Sequence, residues 1–331
     1  MLPLRSFSLA RPKNLAELGT LLEKADDKTK IIAGGTDLLP NLKHGLYDIN
    51  ALISLADIDE FYAIDGRHGR LSLGAMVSLQ RVMKDAFINE HAPALAKAAS
   101  LIASPQIRAM GTVGGNICLD TRCVYFNQTE FWRQALGYCL KKDGTHCHVV
   151  KTGKRCVAAS SNDFATMLLA YDAEVSVMSP LGTRTLPLLE LYTANGEKNN
   201  VLRPNEVISK VSITLTPQCY AGFAKLRHRQ SFDFPLLSIG TLVHVHDQRL
   251  VLGRVVINAL VAKPKLIPLT AFAGAYYDQA LIEKIAVLAK DKCHPQSNMA
   301  EDQEWRRELI VPFTKRAFYD ARPPWIQHHA V

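Results

Sequence analysis

Four cysteines, Cys123, Cys139, Cys147 and Cys156, are separated by 15, 7 and 8 residues in a stretch that otherwise reads as polar loop. Thiolates in such a set ligate metal, and the gaps are wider than the Cys-x-x-Cys pairs of compact zinc knuckles. A 4Fe-4S cube takes one thiolate per iron and tolerates long loops between its ligands. Zinc held by four thiolates suits the same spacing, and buried thiols without a ligand are the third reading. His146 and His148 flank Cys147 and offer substitute ligands. Cys118, Cys219 and Cys293 lie outside the set and read as small apolar residues of the core or its edge.

Two glycine segments precede the cysteines. The first, Gly34-Gly35-Thr36-Asp37-Leu38, follows the apolar run Lys30-Ile31-Ile32-Ala33, and the second is Gly111-Thr112-Val113-Gly114-Gly115-Asn116. Without a Cβ in the way, backbone N–H groups in such segments can turn toward an anion. Neither matches Gly-x-Gly-x-x-Gly or the Walker Lys-Ser/Thr, and the first alone reads more readily as a plain glycine turn. Taken together they suggest two edges gripping one long anionic ligand, a dinucleotide such as FAD. A side chain added at Gly114 is expected to obstruct that ligand.

Elements that position these segments follow from hydrophobic period. Residues 14–25 read as a helix capped by Asn14, and residues 30–33, 51–55 and 71–75 as strands. Helices are predicted over 78–84 and 93–104, and a short amphipathic helix over 163–171. Strands are predicted over 174–178, 183–186, 207–215, 239–246 and 249–262, the last two joined by a tight Asp247-Gln248 turn. Helices fill 278–290 and 301–319. The order is mixed α+β, without regular strand–helix alternation. The expected units are residues 1–60, residues 61–216 with a cysteine-rich insertion at about 118–160, and residues 217–331 after a break near Thr216-Pro217.

Composition narrows the function classes. A chain of 331 residues with 48% hydrophobic and 21% charged positions can bury a sizeable core. Its formal charge of +8 is scattered, with no basic stripe interleaved with aromatics, so nucleic acid is not the expected partner. An acidic protein or an anionic cofactor suits the excess better. No apolar run of about 18 residues exists to span a bilayer, and Pro12 interrupts the start before a signal-peptide core forms. A cytoplasmic location is therefore expected, and seven cysteines, an odd count, argue against a disulfide framework there. Nucleophilic catalysis lacks a Gly-x-Ser-x-Gly elbow, and the eleven histidines lack local carboxylate partners. His244 and His246 share a strand face, but no third ligand is suggested.

Three motifs carry a family likeness: Ile32 to Pro40, Ser104-Pro105-Gln106-Ile107-Arg108 followed by Gly111 to Ile117, and Ser161-Asn162-Asp163. Together they resemble the FAD-binding medium subunit of the molybdenum hydroxylases, the xanthine dehydrogenase and carbon monoxide dehydrogenase family. The likeness runs nearly end to end and includes Trp305-Arg306-Arg307-Glu308-Leu309. It implies a PCMH-type (vanillyl-alcohol-oxidase-like) FAD-binding fold of two α+β subdomains, plus a C-terminal α+β domain with a small antiparallel sheet. One departure is informative. Members usually pass more directly from the Gly-Gly-Asn loop to the Ser-x-Asp step, whereas 46 residues lie between Asn116 and Asp163 here, and they contain all four spaced cysteines. Such an insert is similar to that of the β subunits of 4-hydroxybenzoyl-CoA reductases, where the extra loop holds a 4Fe-4S cluster.

The resemblance implies that Ile32, Ala33, Gly34, Gly35, Thr36, Asp37 and Leu38 wrap the FAD pyrophosphate region. Thr112, Val113, Gly114, Gly115 and Asn116 form the second contact, and Ile102, Asp163, Ile208 and Lys225 the rest. Lys225 is expected to hold negative charge on the reduced flavin, while Ala109, where relatives often carry asparagine, loses a side-chain contact. The implied role is electron transfer, with no molybdenum chemistry in this chain. The implied partners are a molybdopterin-binding large subunit, a 2Fe-2S small subunit and reduced ferredoxin as donor, assembled as a dimer of heterotrimers. The alternatives are an oxidative hydroxylase acting on an aromatic or purine substrate and a scaffold subunit fixed by zinc.

Overall fold

The computed structural model describes residues 2–320 and 323–326. Three sheets follow one another along the chain, each from its own stretch of sequence. The first is parallel, with β1 (Ser8–Ala10), β2 (Thr29–Ile32) and β3 (Ala51–Ser54) in the order β1-β3-β2. Parallel neighbours need a crossover, and here helices supply it. Leu15–Glu23 links β1 to β2, with Asn14 Oδ1 accepting from Glu17 N at 2.9 Å and with Leu18 and Leu22 fully buried. The second crossover runs through the first glycine segment into a short helix, Leu38–Lys43, which hydrophobic period did not reveal because Pro40 sits inside it.

The second sheet is antiparallel throughout: β4 (Ile64–Arg67), β5 (Arg70–Gly74), β6 (Glu174–Ser179), β7 (Gly182–Pro187) and β8 (Val207–Thr214), in the order β4-β5-β8-β6-β7. Between β5 and β6 lies a helical layer followed by the cysteine region. The expected helix over 93–104 stops at Ser100. Ala103 takes a φ of +43°, and Ser104 then caps a separate helix, Pro105–Met110, with Pro105 opening it. The second glycine segment is not a loop; Val113–Ile117 is a short helix, with Thr112 Oγ1 accepting from Gly115 N at 3.1 Å.

The third sheet, β9 (Cys219–Leu226), β10 (Leu237–His246), β11 (Arg249–Asn258) and β12 (Lys265–Pro268), is antiparallel in the order β12-β11-β10-β9. Asp247 and Gln248 both have positive φ, the geometry that matches a two-residue hairpin turn to strand twist. Helices Gln279–Asp291 and Ile310–Asp320 pack together, the second lying on β9 and β10.

The helix Asp163–Ala170 corrects the amphipathic reading, because all eight of its residues are buried. It lies between β10 and β11 and the helices Pro93–Ser100 and Val113–Ile117, so neither side meets water. The expected helix over 301–319 is two, Gln303–Glu308 and Ile310–Asp320. Pro312, which has no N–H to offer the Glu308 carbonyl, explains the break, and the short helix is anchored by Arg306. Its fully buried guanidinium donates to the carbonyls of Leu236, Gln296 and Ala259 and to Asn298 Oδ1, which ties the short helix to the end of the third sheet. Arg306→Leu leaves several buried acceptors unpaired and is expected to cost at least about 3 kcal/mol, read as a lower denaturant midpoint. Arg306→Lys is expected to recover little of it, since an ammonium cannot reproduce the fork.

Candidate flavin cleft and cysteine cavity

Along the edge strand β2 and beyond its carboxyl end, where open parallel sheets bind ligands, lies a cleft of about 860 Å³. That lies within the roughly 300–1,000 Å³ typical of small-molecule sites. Both glycine segments line it, and Gly34 explains why they are adjacent. A Cβ there would stand 1.8 Å from the carbonyl oxygen of Met110, so only glycine lets the turn after β2 lie against the chain entering the second segment. Gly35 takes a φ of +71°, the left-handed region that favours glycine. Among the described residues, the N–H groups of Gly34, Gly35 and Thr36 have no acceptor, which suits a cleft that receives an anion.

Of the residues expected to touch the cofactor, Ala33, Gly34, Gly35, Thr36, Asp37, Leu38, Ile102, Thr112, Gly114, Gly115, Asn116, Asp163 and Ile208 line the cleft. Ile32, Val113 and Lys225 do not. Val113 is fully buried in the core, and Lys225 stands behind Asp163. Its ammonium lies 2.6 Å from Asp163 Oδ2 and also donates to the carbonyls of Leu101 and Asp233, so it fixes the carboxylate instead of facing the flavin space. Ser238 from β10 donates to the other oxygen of Asp163. Asn116 Oδ1 accepts from Phe164 N at 3.2 Å, coupling the second glycine segment to the same helix. Gly114 lines the cleft and is also needed for packing: a Cβ there would meet Ala75 Cβ at 2.8 Å. At Gly115 a Cβ would meet only Thr112 Oγ1 at 3.0 Å and Ala33 Cβ at 3.9 Å, both on cleft-lining residues.

The cysteines gather elsewhere. Arg122 and Ala159 exchange backbone hydrogen bonds of 2.8 and 2.7 Å, closing the excursion that carries all four. Within it, Cys123, Cys139, Cys147 and Cys156 are all buried and line one small cavity of about 10 Å³. The polar-loop reading fails here: Leu46, Phe126 and Ala158 pack with the thiols. Backbone N–H groups point at three of the sulfurs, from Tyr125 to Cys123, from Val150 to Cys147 at 3.5 Å and from Ala158 to Cys156 at 3.4 Å. Burial pushes the Cys123 and Cys156 thiols up to about 11, against the opposing pull of those N–H groups. Among the described residues, no group of three or more His, Cys, Asp and Glu forms a site that could hold a metal ion. His148 lines the cavity but its Nε2 lies 2.5 Å from the Tyr138 carbonyl, and His146 is not among the lining residues.

A polar wall separates the two spaces, and spacing gave no sign of it. Lys141, on the cysteine side, donates to Asp120 Oδ1 at 2.7 Å, and Tyr47 donates to Asp120 Oδ2 at 2.6 Å. Tyr47, Asp120 and Arg122 line the flavin side. Arg122 lies 3.4 Å from Asp37 and 3.7 Å over the Phe234 ring. Burial raises the Asp37 carboxyl above its ordinary range despite Arg122, and burial together with Asp120 holds the Tyr47 phenol well above its own.

Residues 5–215 match the family model described as the FAD binding domain in molybdopterin dehydrogenase. The chain belongs to this family, the FAD-binding medium subunits of the molybdenum hydroxylases. It is 26% identical over 327 residues to the xanthine dehydrogenase FAD-binding subunit of Escherichia coli O157:H7, covering 95% of each chain. To the aldehyde oxidoreductase FAD-binding subunit PaoB of Escherichia coli K12 it is 29% identical over 278 residues, 79% of this chain and 83% of that one. Its fold is that of a chain of the carbon monoxide dehydrogenase from Hydrogenophaga pseudoflava, with a TM-score of 0.78 at 21% identity over 96% and 98% of the two chains. As a member of this oxidoreductase family the chain binds FAD, and the cleft is the space of suitable size and donor chemistry. Among the described residues no helix is long and apolar enough to cross a membrane.

The two glycines of the second segment should separate on substitution. Gly115→Leu is expected to weaken FAD retention more than about tenfold, read as flavin absorbance per chain, with the denaturant midpoint little changed. Gly114→Val is expected to cost roughly 1–3 kcal/mol of stability by overpacking against Ala75.

Proposed function

We propose that this chain is the electron-transfer flavoprotein subunit of a molybdenum enzyme and that Cys123, Cys139, Cys147 and Cys156 hold a 4Fe-4S cluster. The observation that carries the reading is the convergence of four buried cysteines, from one pinched-off excursion, on a single cavity beside the flavin cleft. Zinc would draw four sulfurs to about 2.3 Å from one point. A cluster spaces its ligands more widely, and N–H groups aimed at sulfur are among the contacts that tune it. When bound, FAD would supply stepwise one- and two-electron chemistry and the cluster one-electron exchange.

The protein's own contribution is placement. The N–H groups of Gly34, Gly35 and Thr36 offer donors for the pyrophosphate, and Arg122, paired with the neighbouring Asp37, lines the same cleft. Asp163, held by Lys225 and Ser238, presents a fixed acceptor to a ribityl or flavin donor. Ile102 and Ile208 give the cleft apolar surface that excludes water, while Thr112 and Asn116 hold the second glycine segment in place.

The partners in this reading are a molybdopterin-binding large subunit and a 2Fe-2S small subunit, in a dimer of heterotrimers. The insert supports a reductive enzyme of the 4-hydroxybenzoyl-CoA reductase type, with reduced ferredoxin as donor. Exposed Lys151, Lys154 and Arg155 immediately precede Cys156, and a basic rim there suits an acidic carrier. A second reading, oxidative hydroxylation, is favoured by the names of the relatives, which include xanthine and nicotinate dehydrogenases. Turnover of 4-hydroxybenzoyl-CoA by the assembled complex with reduced ferredoxin supports the first; oxidation of an aromatic or purine substrate without it supports the second.

Cys139→Ser is expected to remove most iron and acid-labile sulfide from anaerobically purified protein while FAD per chain stays at the wild-type level. Joint loss of iron and flavin would contradict separate sites, and an iron-free wild type would end the cluster reading.

A further inference from the structure

Lys141 joins the two spaces through its partner Asp120. Its side chain is only 4% exposed, it lines the cysteine cavity, and its ammonium lies 4.3 Å from the centre of the Phe126 ring in the same cavity wall. All three of its donors are committed: to Asp120 Oδ1 at 2.7 Å, to the Thr121 carbonyl at 3.0 Å and to Thr121 Oγ1 at 2.5 Å. No other lysine or arginine lines that cavity among the described residues. The remaining oxygen of Asp120 accepts from Tyr47, and Asp120 and Tyr47 both line the flavin cleft. The shared wall is thus a cation on the cysteine side backed by a carboxylate on the flavin side.

Such a charge cannot be indifferent to what the cysteines hold. Four thiolates in a mostly apolar pocket concentrate negative charge, and each electron added increases it. A buried ammonium beside them stabilises the more negative, reduced state more than the oxidised one, since water screens it little. We propose that Lys141 is a positioning residue whose fixed charge raises the reduction potential of the group held by the four cysteines, with Asp120 limiting the effect from the flavin side. The assignment rests on the cluster reading given above. Because Asp120 partly cancels the ammonium, removing its charge should move the potential the opposite way from removing the lysine.

The test is a potentiometric titration of the anaerobically purified complex, followed by electron paramagnetic resonance of the cluster, with iron and FAD measured on each sample. One electron enters from the mediator in this titration and no bond is made or broken. Lys141→Met is expected to lower the midpoint enough to change the oxidised-to-reduced ratio about tenfold, about 59 mV for a one-electron couple. Lys141→Arg should restore most of that loss, and Asp120→Asn should raise the midpoint above wild type. An iron-loaded Lys141→Met protein with the wild-type midpoint overturns the assignment while leaving the cluster reading intact. If Lys141→Met fails to retain iron, Asp120→Asn decides: a midpoint at or below wild type overturns the assignment. Iron-free wild-type protein instead overturns the cluster reading, and this assignment with it.

Discussion

A carboxylate that loses its water must find a cation and hydrogen-bond donors, and Asp163 is where this constraint organises the molecule. It opens a helix buried on every side and its side chain is only 4% exposed at the cleft, so water does little to screen its charge. Lys225 from β9 and Ser238 from β10 meet it, and Lys225 also takes the carbonyls of Leu101 and Asp233. One buried ion pair therefore joins the helical layer, the third sheet and the loop before β10. Removing either partner alone would strand a buried charge, typically worth about 3–5 kcal/mol. The same pairing leaves Asp163 rigid at the floor of the cleft, as an acceptor that needs no reordering when a ligand arrives.

Much of this was legible in the sequence wherever the signal was local. Asn14 capped its helix, the Asp247-Gln248 hairpin formed, and both glycine segments met at one cleft. What local pattern could not show was which neighbour each residue would face. The residues from Asp163 to Ala170 have helical period, but the third sheet covers the side that period assigns to solvent. Gly114 and Gly115 are adjacent in sequence and both line the cleft, yet a Cβ on the first would strike Ala75 and on the second would point toward Thr112 and Ala33, a distinction made by helical rotation. Lys225 was expected at the flavin and stands one layer behind it. The polar wall had no sequence signature at all, because Tyr47 and Asp120 lie 73 residues apart and gain meaning only when the excursion folds back.

Family membership and the cysteine cavity bear on different levels of function. The match over residues 5–215 accounts for the first two sheets, the glycine segments and the cleft between them. The excursion pinched off between Arg122 and Ala159 is a second construction on that frame, with its own small core of cysteines, Leu46 and Phe126. Its contacts back to the frame are specific: Val124 N donates to the Asn298 carbonyl, Asn298 Nδ2 donates to Val157 O at 2.7 Å, and the buried Arg133 donates to the carbonyls of His44 and Gly45. Asn298 also accepts from Arg306, so the excursion leans on the same buried guanidinium that anchors the final helices. A redox group placed there would be held by the fold and not merely tethered to it.

The central claim is that the cysteine cavity holds an iron–sulfur cluster beside a flavin bound in the cleft. Its most direct test is anomalous diffraction from crystals of anaerobically purified protein, recorded on both sides of the iron absorption edge. The account requires a compact iron peak bounded by the sulfurs of Cys123, Cys139, Cys147 and Cys156, with flavin density against Gly34, Gly115 and Asp163. An anomalous peak at the zinc edge alone, or four free thiols with no peak at either edge, would contradict it.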